Sequence, residues 1–77
     1  MDKEAYDEYT IMIESKIEEY EEAISYLEDS KFLLSNVKDK LKELKMYSNV
    51  TEIQIMIDDI ETNIAEVKIK KEELIEV

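Results

Sequence analysis

Seventy-seven residues without cysteine, histidine, glycine or proline exclude a disulfide framework, thiol- or histidine-centred catalysis, the usual zinc ligand sets and any glycine-rich phosphate loop. A formal net charge of −11, from 21 acids against 10 lysines, repels nucleic-acid phosphate and anionic lipid, so direct DNA, RNA or bilayer binding is not expected. A chain this short, rich in Glu, Lys and Ile, reads as one all-α domain over residues 1–77, whose lone core leaves so little surplus stability that association with another chain is expected.

The opening MDKEAYDEYT is acidic where a secretory signal would be basic and then apolar, and no run of about 18 apolar residues follows. A cytoplasmic protein without a membrane span is therefore expected. The first predicted helix covers about residues 3–47. Tyr6, Tyr9, Ile13, Ile17, Tyr20, Ile24 and Leu27 step by three or four and form one face. The face resumes as Leu34, Val37, Leu41 and Leu44 only after Ser30 and Lys31 occupy the positions where an apolar residue is due. Such a phase slip reads either as a stutter in one long helix or as a break near Asp29-Ser30, with one of these residues capping a new helix. The continuous helix is the favoured reading, and a three-helix bundle is the alternative.

A turn is predicted over about residues 47–51. Thr51 with Gln54 fits a capping box, and Val50 and Ile55 fall at the flanking staple positions, which starts the second helix at about residue 52 and runs it to about 76. Its apolar seam is strict. Val50, Ile57, Ile64 and Lys71 take heptad a positions, and Ile53, Ile60, Val67 and Leu74 take d positions. The charge blocks alternate in sign: eleven acids to two lysines over residues 1–30, five lysines to two acids over 31–50, and eight acids to three lysines over 51–77. That pattern favours an antiparallel helical hairpin, a coiled coil with a long first helix. A turn centred near Asn49 sets Leu41 opposite Ile57, Leu34 opposite Ile64 and Ile24 opposite Leu74. Residues 3–21 then overhang, and their stripe, Tyr6, Tyr9, Ile13, Ile17 and Tyr20, is the expected self-association seam of a homodimer with a four-helix arrangement.

Carboxylate pairs are the chemistry that remains. Glu14, Glu18 and Glu21 share a helix face, but the Glu-x-x-His element of carboxylate-bridged helical metal sites is missing, so neither a metal, nor another cofactor, nor catalysis is expected. Glu14, Glu18, Glu19, Glu21, Glu22, Glu28 and Asp29 form the candidate partner-binding face. The ordinary reading is a solvated helix back. The functional reading is an array of carboxylates about 5 to 6 Å apart, resembling phosphate spacing along a nucleic-acid strand. Three expectations follow. The first is a non-catalytic acidic regulator or inhibitor that occupies a partner protein's basic surface. The second is a nucleic-acid mimic, such as a phage inhibitor of a DNA- or RNA-binding host protein or CRISPR effector. The third is a structural coiled-coil subunit.

Overall fold

The computed structural model describes the backbone of residues 3–76 and the side chains of residues 7–75. Two helices, α1 (Lys3–Glu43) and α2 (Tyr47–Glu76), fold back on each other as an antiparallel hairpin that measures 64 × 15 × 11 Å. α1 passes through Asp29 and Ser30 without interruption, so the chain has no third helix there. Ser30 is accommodated inside the helix because its hydroxyl donates to the Tyr26 carbonyl one turn back, at 2.9 Å.

The α1 seam keeps a strict heptad where the apolar pattern slips. Thr10, Ile13, Ile17, Tyr20, Ile24, Leu27, Lys31, Leu34, Lys38 and Leu41 are buried or half-buried in unbroken steps of three and four. Lys31 and Lys38 hold two of these places. Their long methylene stems cover the interface, while the ammonium groups reach its edge, Lys31 to Glu61 at 3.0 Å and Lys38 to the Gln54 side-chain oxygen at 2.8 Å. Val37 and Leu44, expected on the seam, stay exposed instead. On α2 the seam from Val50 to Leu74 is buried or half-buried at every expected position. Among the described residues only Ile24, Ile57 and Ile64 are buried, as befits two helices that cover each other on one stripe.

The turn lies earlier than residues 47–51, and its chemistry differs. Lys45 adopts a left-handed backbone with φ 61°. The Lys45 amide donates to the Lys42 carbonyl at 3.0 Å, and the Met46 amide to the Leu41 carbonyl, also at 3.0 Å. This pair of bonds is a Schellman cap with lysine where glycine usually stands. The Val50 amide then donates to the Met46 carbonyl, so α2 begins at Tyr47. Thr51 accordingly caps nothing: its hydroxyl donates to the Tyr47 carbonyl inside the helix, at 3.2 Å. Ile55 is exposed, and the staple with Val50 is absent.

The earlier turn moves the register. Glu21 lies 3.7 Å from Lys71, and Lys31 and Lys38 reach Glu61 and Gln54. Each α1 residue therefore faces a residue about one heptad nearer the turn than a centre at Asn49 implies. The expected facing pairs Leu41–Ile57, Leu34–Ile64 and Ile24–Leu74 are displaced accordingly. A one-heptad slide keeps every a and d residue on the seam, which is why the seam survives while its pairing changes.

Candidate functional site

A seven-position wheel divides α1 into three sectors once the seam is labelled a and d. Positions e, b and f form one contiguous sector, and c and g another. Glu14, Glu21 and Glu28 fall at e, Glu18 at b, and Glu22 and Asp29 at f. Six of the seven candidate acids thus share one long sector of exposed residues. Glu19 falls at c, on the other side of the helix.

Only part of this sector is neutralised within the hairpin. Glu21 meets Lys71 at 3.7 Å and Glu28 meets Lys68 at 3.9 Å, while Glu19 pairs with Lys16 at 3.5 Å within α1. Glu14, Glu18, Glu22 and Asp29 have no lysine within 4.0 Å among the described residues. Glu22 accepts the Tyr26 hydroxyl at 3.1 Å. That hydrogen bond, and next the carboxylate's negative charge, raise the Tyr26 phenol above its ordinary pKa. The ion pairs are exposed and contribute little to stability, so the sector remains a source of negative field. Among the described residues no group of three or more carboxylates converges on a point where a metal ion could sit. Helical spacing holds the heads in a row along the rod instead.

The expected self-association seam is divided. Ile13, Ile17 and Tyr20 are half-buried, and Ile13 and Ile17 share an open groove with Leu74 and Ile75 of α2. The shifted register thus supplies them with an intramolecular neighbour, and the overhang of residues 3–21 shrinks to about two or three helical turns. Tyr9 is exposed, and the Tyr6 side chain lies outside the described residues. Lys16 places its ammonium 5.5 Å from the centre of the Tyr20 ring, within cation–π range.

Among the described residues the polar contacts between the helices all run along one flank of the hairpin. Glu21–Lys71, Glu28–Lys68, Lys31–Glu61 and Lys38–Gln54 each involve an e position. Gln54 passes the connection on by donating to Asp58 at 2.9 Å. The opposite flank, where the g positions of the two helices adjoin, carries Ser30 and Val37 from α1, Leu44 from the turn and Asn49, Met56 and Asn63 from α2, before Lys70 of α2 adjoins Ala23. That uncharged stretch escaped a reading that placed Val37 and Leu44 in the core. A second row of steps of three and four was the signal available for it.

Among the described residues no helix is long and apolar enough to cross a membrane. No protein-family model, curated protein or solved structure matches the chain.

Proposed function

We propose that this chain is a non-catalytic regulator that works in the cytoplasm by occupying the basic surface of a partner protein, with the e, b and f sector of α1 as the contacting element. The observation that carries the reading is the segregation of charge: six acids share one sector of a continuous helix, and four of them have no cation beside them among the described residues. Such a row attracts a basic surface over a distance and aligns it along the rod, which raises the encounter rate more than the final affinity. The nucleic-acid-mimic form of the reading draws on the same row, because acids three and four residues apart repeat at about 5 to 6 Å. A structural subunit would need the seam and not the acids.

The test starts from a partner captured from the source lysate and identified by mass spectrometry. Replacing Glu14, Glu18 and Glu22 with Gln and Asp29 with Asn keeps helix-forming residues and spares the seam. Wild-type association should show an on-rate that falls steeply with salt, and the neutral variant should bind at least about tenfold more weakly at low salt. Equal affinity across the salt series would defeat the reading. Competition by DNA or RNA for the partner would select the mimic form.

A further inference from the structure

α1 carries a second row of residues in steps of four and three, at the c and g positions, beside the seam that α2 covers. Its central part is Ala23, Tyr26, Ser30, Leu33 and Val37. Five of the seven large apolar side chains that α1 leaves exposed among the described residues fall on this row, among them Tyr26 at 64% and Leu33 at 62% relative exposure, and Leu44 of the turn continues it. The adjoining g edge of α2 adds Met56 beside Val37 and Asn63 beside Ser30, and its one charge along this stretch, Lys70, stands at the Ala23 end. With three buried residues among those described, and no disulfide to assist, the hairpin has a physical need to cover such a row.

The row is complementary to itself when reversed about Ser30. Two copies of α1 crossing antiparallel at Ser30 would bring Ala23 against Val37, small against large, and Tyr26 against Leu33. Glu19 of each copy would meet Lys40 of the other. Ser30 itself is short, with its hydroxyl folded back onto the Tyr26 carbonyl, so the two backbones can approach at the crossing. The same arrangement sends the acid-rich halves of the two copies of α1 to opposite ends, and of the lysines in the other half Lys40 is the one that lies on the row. A parallel pairing would stack acid on acid.

We propose that a second copy of this chain docks on the c and g row, forming an antiparallel dimer with its two-fold axis at Ser30. The contact is distinct from the expected seam of Tyr6, Ile13, Ile17 and Tyr20, since Tyr9, itself a g position, lies beyond the stretch from Glu19 to Lys40, and it leaves the e, b and f acids facing outward. Glu19 and Lys40 each also have a partner within α1, Lys16 at 3.5 Å and Glu43 at 3.1 Å. A second acceptor or donor across the axis adds to these pairs without breaking them.

The experiment uses the full chain and sedimentation equilibrium, with circular dichroism to verify helicity. Wild type should sediment at twice the chain mass. Leu33→Glu with Val37→Glu should give a helical monomer, whereas the same change at Ile11 and Phe32, exposed but off the row, should leave the dimer intact. Glu19→Lys and Lys40→Glu should each weaken the dimer, and the two together in one chain should restore it. Ser30→Cys should oxidise to a covalent dimer about tenfold or more faster than Ser15→Cys, because the axis raises the effective concentration of the thiols. A monomer at every soluble concentration overturns the proposal. So does a dimer that survives the Leu33 and Val37 change, a double charge swap that fails to restore the dimer, or equal rates for the two thiols.

Discussion

Lys45 holds the left-handed conformation that closes α1, and for an L-residue with a Cβ that conformation costs about 1 to 2 kcal/mol. Glycine would remove the clash and add about 0.5 to 1 kcal/mol of backbone entropy loss on folding. Lys45→Gly should therefore stabilise the hairpin by about 0.5 to 1 kcal/mol, read as a higher urea midpoint with an unchanged slope. A lower midpoint would mean that the lysine side chain contributes more at the turn than its backbone loses. The same residue explains why the turn was misplaced from sequence. Turn chemistry is recognised by glycine, proline or a capping oxygen, and this cap uses none of them. Thr51 and Gln54 have the spacing of a capping box, but Thr51 sits within α2, and Gln54 spends its amide on Lys38 and Asp58.

Helix by helix, legibility followed the apolar content of the seam. α2 presents isoleucine, valine or leucine at every seam position but Lys71, and its pattern reads directly from sequence. α1 places Lys31 and Lys38 where apolar residues are due, so hydrophobicity alone drifted to Val37 and Leu44 and suggested a slip that the helix does not have. Charge could not repair the register. In the displaced register Lys38 would meet Glu61 and Glu28 would meet Lys71, again opposite charges, and only Lys31, brought to Lys68, would object. The acidic sector was legible for the same reason as the seam, since both follow from helical spacing. Which of its acids are neutralised depended on the register and was not. Lys31→Leu and Lys38→Leu should each stabilise the hairpin by about 1 kcal/mol, because half-burying a leucine outweighs one exposed ion pair or hydrogen bond. Chemical denaturation measures it. A loss of stability in either would show that the head-group contact, and not the stem, holds that seam position.

Taken whole, α1 presents three sectors: the seam against α2, the outward row of acids, and the second row on the remaining side. Because the turn is only the three residues between Glu43 and Tyr47, the chain length enclosed by a cross-hairpin contact grows steadily along the rod. Lys38 and Gln54 are 16 residues apart in sequence, Lys31 and Glu61 are farther, and Glu21 and Lys71 farther still. Closing each longer loop from the open chain costs more entropy, by about 0.6 kcal/mol per doubling, whereas extending from an already closed turn adds little. Position along the rod thereby becomes position in time. The helices should join first beside Lys45 and zip toward the far end, as local contacts precede distant ones. Pulse-labelled hydrogen exchange during refolding would record amides near Lys38 and Gln54 becoming protected before those near Glu21 and Lys71. Simultaneous protection at both places would mean that the far end has a nucleus of its own.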